Sequence, residues 1–402
     1  MEFSNHEITD GQNILADRMK IYIHNENEFV FNLLNFDSDY TFLEPLLFAN
    51  YFNKVFSKNI KTSIEELCIG YISPEKRAGL KLKASTDRDG YIYIANYGYL
   101  KTNQISKTVS LSWDNASSRF VLESNKKVLD YDFLPILTIP GTNIEISLVI
   151  NSLLEDHFYD EENNPEQEVI DISFNQVKCL IDKHFSNLEK AAALLKKTWP
   201  NYYDNLINVA RKIVLFKSKR MVSFASRVNH GTIFLNVAES DNEVFFYTEL
   251  IHQYGHVMLY SITANPKEFF TIDLKTPLAE LNNNLEEKRS FYSAFHGLFT
   301  TTKVAIGLEL LLNSKALDGL KEYEVIGRLV DNYLRLNSGL EKIDKIDKVL
   351  TTKGLQLYNA LRTDCISVYN RNEFLLKQYD VSKQPFVFSF DLFQKQNYLS
   401  TN

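Results

Sequence analysis

The sequence predicts an α+β protein: a mainly helical part that holds a short sheet, preceded by a region of mixed helix and strand. Three observations predict it. Residues 1–75 and the chain beyond about 170 carry apolar residues at helical intervals. Residues 80–152 break into short β-rich runs between turn residues. Hydrophobic residues make up 45% of the 402 and charged residues 24%, a balance that supports a sizeable core rather than a disordered chain.

The elements follow in order. "YTFLEPLLFANYFNKVF" (Tyr40–Phe56) places apolar side chains on one helical face. "GLKLKAS", "GYIYIANYG", "KTVSLSW", "RFVLES" and "NIEISLVI" read as strands, with turns at Asp87–Gly90 and Gly141–Asn143. "DHFYDEENNPEQE" (Asp156–Glu168) is acidic and polar, the best candidate for a linker between a region at 1–168 and a domain at 169–402, with a surface loop as the alternative. "FNQVKCLIDKHFSNLEKAAALLKKTW" and "YYDNLINVARKIVLF" then read as helices. "GTIFLNV" (Gly231–Val237) alternates like a strand, and as an edge strand it would accept a peptide by strand addition. A helix follows over about Val244–Ile262, a second over residues 283–312, and the C-terminal third is mostly helical.

Charge and cysteine content narrow the function classes. Acidic residues outnumber basic ones, 51 to 44, giving a net charge of −7, which speaks against a dedicated nucleic-acid binder. The N-terminus "MEFSNHEITD" lacks the basic and apolar segments of a secretory signal, and no apolar run is read as a membrane span. Cys68, Cys179 and Cys365 are few and far apart, as in a reduced, cytoplasmic protein.

The chemistry concentrates in "ELIHQYGHVML" (Glu249–Leu259). His252 and His256 stand four residues apart, so one helical face offers two imidazoles to one cation. The arrangement is that of the zinc-peptidase H-E-x-x-H helix, except that Gln253 replaces the glutamate base. Glutamine cannot take a proton from water, so the usual hydrolytic route is lost while both ligands remain. A metal site needs a third ligand. His296, inside the apolar "SAFHGLF", is the first candidate; Glu280, Glu286 and Glu287 are rivals in polar surroundings. A pair of hydrogen-bonded core histidines would produce the same spacing. Gly255 inside the helix implies a close neighbour, because glycine costs about 1 kcal/mol there relative to alanine. Glu249 is placed to support the ligands or to face solvent, His230 reads as a loop histidine, and Tyr247, Tyr254 and Tyr260 read as helix packing. His6, His24, His157 and His184 show no ligand spacing.

From about Phe216 to Gly354 the chain resembles the 2-oxoglutarate-dependent HExxH-type peptide β-hydroxylases, with HQxxH in place of HExxH. A glycine-led strand precedes the histidine helix. "RSFYSAFHGLF" matches that family's Arg–x₆–His–Gly element, and "LTTKGLQL" (Leu350–Leu357) its L-T-x-x-G helix. Ser290 stands where a proline commonly follows the arginine. The resemblance implies a zincin-like helix arrangement with Fe(II) held by His252, His256 and His296, and 2-oxoglutarate as co-substrate. It implies a dioxygenase, an oxidoreductase that hydroxylates a side-chain carbon of a ribosomally made precursor peptide. Arg289 suits the 2-oxoglutarate carboxylate because a guanidinium binds carboxylate through two hydrogen bonds. On a continuous helix, Arg289 and His296 would share a face about 10 Å apart along the axis. Arg227, in "ASRVNHG", is a second candidate anchor. C–H hydroxylation needs no carboxylate base beside a metal-bound water, so Gln253 harms it less than it harms proteolysis. Two other readings stand beside this one: a zinc hydrolase with an altered base, and a non-catalytic peptide-binding protein.

Overall fold

The computed structural model describes residues 5–56, 62–160, 164–282, 287, 289–343 and 346–397. The α+β expectation holds, but the division of the chain differs from a cut at 168/169. One compact unit comprises residues 12–185 and 210–239; the other comprises 1–11, 186–209 and 240–402. Residues 210–239 return to the first unit because their strands complete a sheet begun before residue 150. Part of the expected linker, residues 161–163, lies outside the described residues.

The first unit carries helices α1 (Asn5–Glu26, from residue 12 onward) and α2 (Pro45–Val55), then three sheets. β1 (Lys81–Ser85), β4 (Thr108–Asp114), β5 (Arg119–Ser124) and β6 (Lys127–Leu129) form an antiparallel sheet in that order. β2 (Tyr91–Ile94), β3 (Gly98–Lys101) and β7 (Asp132–Pro135) form a second. Alternation sets their faces: Leu111 pairs with Leu122 and both are buried, while intervening residues face outward. The expected turns are present, with Gly90 at φ +82° and Gly141 at φ +75°.

The third sheet runs β11 (Phe224–Ala225), β12 (Thr232–Asn236), β10 (Lys212–Phe216), β9 (Glu145–Ile146), β8 (Leu137–Thr138). β10 lies parallel between β9 and β12 and is buried along its whole length. That corrects the helical reading of "KIVLF". A short apolar run looks alike in a buried strand and a buried helix, and the neighbouring strands decide it. β12 is interior as well, with β10 on one side and β11 on the other. The expected edge for strand addition along Gly231–Val237 is therefore already occupied.

The second unit is built around helix α5 (Glu243–Ile262). Its N-cap Asn242 accepts a hydrogen bond from the Val244 N–H at 2.7 Å. α5 packs against α4 (Pro200–Val209) and α6 (Phe291–Asn313); α7 (Gly319–Ile343) and α8 (Thr352–Gln378) pack on α6. The second expected helix begins later than read: Ser290 is its N-cap, so Arg289 precedes it. α6 is long and apolar enough to cross a membrane, against the expectation from sequence. Most of its apolar stretch, 72%, is buried within the fold, as in a core helix.

The α5–α6 contact explains Gly255. A Cβ there would stand 3.2 Å from Thr300 Cγ2 and 3.4 Å from the Tyr202 hydroxyl. Tyr202 donates to the Ile251 carbonyl at 2.7 Å and Tyr247 to the Gly307 carbonyl at 2.9 Å, which fixes α5 against its neighbours. Tyr247 and Tyr254 are fully buried packing residues, as expected.

Candidate metal centre

The spacing along α5 and α6 assembles a column of rings. His252 and His256 face one another along α5 with ring centroids 5.2 Å apart. His296 on α6 lies 5.2 Å from His256, its ring tilted by only 13°. Their Nδ1 atoms are 3.0 Å apart. Such a separation fits one shared proton, and it also fits two ligands of one ion. Nitrogens bound at about 2.0–2.1 Å stand about 3.0–3.4 Å apart, depending on the angle at the metal. As the rings are turned here, no three His, Cys, Asp or Glu side chains among the described residues converge on one point. His252 sits one helical turn from His256, outside the closely spaced pair.

The surroundings favour the neutral form of His252 and His256, the form that binds metal. Burial pushes His252 below its ordinary pKa; Glu249 opposes that shift and Arg335 adds to it. His256 is pushed well below, by burial first and then by the two neighbouring imidazoles. Both rings retain partial exposure, while His296 is only 4% exposed. Neutral nitrogen donors at these separations suit a borderline cation such as Fe(II) or Zn(II).

Gln253 is not aimed as a base. Its Nε2 donates to Glu249 Oε2 at 3.0 Å, and the side chain is buried. Glu249 is thus tied to the glutamine and acts electrostatically on His252.

Two tyrosines complete the wall. Tyr260 and Tyr292 rings lie 4.5 and 4.4 Å from the His296 ring. Tyr292 shares a 2.5 Å hydrogen bond with Thr263 at the end of α5. Sequence reasoning takes Tyr260 as packing and misses Tyr292. A signal exists: Tyr260 is four residues after His256 and Tyr292 four before His296, so each shares a histidine's face.

Arg289 approaches the site by a different route from the one expected. It is not two helical turns before His296 on one helix, since α6 starts after it. Its Nη1 lies 3.7 Å from where a Cβ on Gly297 would stand, so the glycine beside His296 leaves room for the guanidinium. Its Nε and Nη2 donate to Glu287 Oε1 and Oε2 at 2.8 and 2.9 Å, and that contact raises its pKa. Glu287 is therefore this arginine's counter-ion. Arg227 belongs to the other unit, where it lies 5.9 Å from the Phe52 ring. Glu280 is on the short helix Leu278–Asn282, and Glu286 lies outside the described residues. His230 is buried in the first unit, with its Nε2 2.8 Å from Gln12 Nε2, and does not join the column.

"LTTKG" has a structural role here. Thr351 caps α8 by accepting from the Gly354 N–H, and its own N–H donates to the Phe269 carbonyl at 3.0 Å. A Cβ on Gly354 would fall 2.0 Å from that carbonyl oxygen. The clasp holds Phe270, whose ring packs 5.4–5.7 Å from Phe291, Tyr292 and Phe295, the turn that carries His296.

No protein-family model matches the chain, and no curated protein matches it.

Proposed function

We propose that the protein is an Fe(II)- and 2-oxoglutarate-dependent oxygenase with a zincin-like helix arrangement, which hydroxylates a side-chain carbon, the β-carbon, of a ribosomally made peptide. The observation that carries this reading is the meeting of His256 and His296 at ligand–ligand distance on two packed helices, with His252 one turn away. When bound, iron and 2-oxoglutarate supply oxidative decarboxylation: dioxygen gives one oxygen atom to succinate and one to the C–H bond, with carbon dioxide released. The chain's own residues do the rest. His252, His256 and His296 offer ring nitrogens. Tyr260, Tyr292 and the Phe270 cluster wall the third histidine away from water. Gln253, bonded to Glu249, leaves no carboxylate beside the ligands in the position where a peptidase needs its base.

The test is anaerobic loading with Fe(II), then oxygen and 2-oxoglutarate with short peptides encoded beside the gene. Succinate release and a mass gain of one oxygen atom are the expected result. Metal analysis separates the competing readings. Stoichiometric zinc with peptidase activity after Gln253→Glu supports a hydrolase. Absence of any metal that His296→Ala removes supports a binding protein.

A further inference from the structure

We infer that the cavity between α4, α6 and α8 is a binding site for a free α-amino acid with an apolar side chain. This site is separate from the proposed metal centre. All of its lining residues belong to the second unit, and none belongs to the histidine column. Lys303, which lines it, follows His296 by seven residues on α6, about 10 Å along the axis.

The cavity holds about 610 Å³, within the range of small-molecule sites. Part of its lining is apolar. Ile306 and Leu310 stand four residues apart on α6 and so share a helical face, and the Trp199 indole lines the cavity just before α4. Trp199 is fixed in place. Its ring stacks on Tyr202 with centroids 4.4 Å apart, and the Tyr202 hydroxyl donates to the Ile251 carbonyl. The rest of the lining is charged. Lys303 comes from α6; Asp364 and Arg371, two helical turns apart, come from α8. The Lys303 side chain is buried, and its Nζ stands 3.7 Å from Asp364 Oδ2, longer than a hydrogen bond. These two charges offset one another without closing together. Arg371 is offset by Glu309, whose Oε1 and Oε2 accept from Nε and Nη2 at 2.8 and 2.6 Å. The cavity therefore presents both signs of charge, each balanced, beside an apolar surface.

That balance selects the ligand class. A simple carboxylate would draw Lys303 to itself and leave Asp364 without compensation. A simple amine would do the reverse, and an uncompensated charge in a half-buried site is costly. A zwitterion brings both signs at once. Its carboxylate meets Lys303 and its ammonium meets Asp364, both through charge-assisted hydrogen bonds. An α-amino acid carries the two charges on one short skeleton, so it can lie across a pair that stands 3.7 Å apart. Its side chain then lies against Ile306, Leu310 and the Trp199 indole, a surface suited to a branched aliphatic or aromatic group.

The experiment is calorimetric titration of the full chain with L-leucine and L-tryptophan, and with the two half-charged analogues of leucine, isocaproate and isopentylamine. At least one amino acid is expected to bind, and each analogue to bind roughly tenfold more weakly than L-leucine or worse. Asp364→Asn, at a partly exposed position, is expected to weaken L-leucine by roughly tenfold while leaving isocaproate unchanged or improved. A folding defect would weaken both. Ser367→Phe fills the cavity from α8 without removing a charge and is expected to abolish binding with the melting temperature retained. The site is overturned if the parent binds neither amino acid, if isocaproate or isopentylamine binds as well as L-leucine, or if Asp364→Asn or Ser367→Phe binds like the parent. The analogue series on the parent decides the matter even where a variant fails to fold.

Discussion

Each unit buries a cluster of titratable side chains, and the two clusters are built in opposite ways. In the sheet-bearing unit, Glu145 on β9 accepts from Tyr99 at 2.6 Å, Tyr93 at 2.7 Å and Lys212 on β10 at 2.6 Å; Lys212 also reaches the Tyr93 hydroxyl at 2.8 Å. Opposite charges meet, every group named has a partner, and the pair is almost closed to solvent. In the helical unit the rings of His252, His256 and His296 stack along one column, with no carboxylate among the described residues shown between them, and two of them keep partial exposure. The first cluster is satisfied by the protein alone and holds strands together. The second packs three imidazoles of one kind side by side, His256 and His296 within hydrogen-bond distance of each other. A buried charge that has its counter-ion is thus weak evidence for function, and buried imidazoles packed against one another are stronger evidence.

The largest expected effect tests the first cluster. Lys212→Met leaves the Glu145 carboxylate buried without its counter-ion and should cost about 3–5 kcal/mol, read by urea denaturation. A loss below about 1 kcal/mol would break the contrast. Tyr99→Phe removes one hydrogen bond to a charged group and should cost about 1.5–3 kcal/mol in the same assay.

Acid comes next. Burial pushes His230 in the sheet-bearing unit down to about 3. Its folded-state pKa lies below the unfolded value of about 6.5, so the unfolded chain takes up a proton that the folded chain refuses. The neutral-histidine contribution is complete above about pH 6.5 and is lost as pH falls toward 3. At pH 5 about 2 kcal/mol should be gone from this residue. His252 and His256 act in the same direction in the helical unit. Melting curves at pH 7 and 5, with and without Fe(II), distinguish the clusters: metal should raise the helical unit's transition and leave the other where it was.

The smallest stability effects belong to the candidate centre. His252→Ala, at a partly exposed position, should change stability by about 1 kcal/mol or less while abolishing stoichiometric metal binding measured by elemental analysis. A large unfolding penalty with metal binding unchanged would make the histidines structural.

Much of this centre is legible in the amino-acid sequence. The four-residue step from His252 to His256 needs only a helix, and apolar residues around His296 mark it as buried. Gly255 announces a close neighbour, which is Thr300. Arg289 departs from its expected place because α6 begins only after Ser290: that N-cap serine accepts from the Ser293 N–H and ends the helical extrapolation. "KIVLF" and "GTIFLNV" are ambiguous for a different reason. Whether a short apolar run is helix, edge strand or central strand depends on partners elsewhere in the chain.

By itself the sequence determined the α+β class, the turns at Gly90 and Gly141, the helix that carries His252 and His256, and the presence of an amide rather than a carboxylate at Gln253. These depend on local periodicity and on the chemistry of single side chains. Only the tertiary structure decided that β10 and β12 are interior strands, that residues 210–239 join the earlier sheets, that Arg289 is paired with Glu287, and that Tyr260 and Tyr292 flank His296. Each of those depends on pairing between segments distant along the chain, where burial and hydrogen-bond geometry, rather than propensity, select the partner.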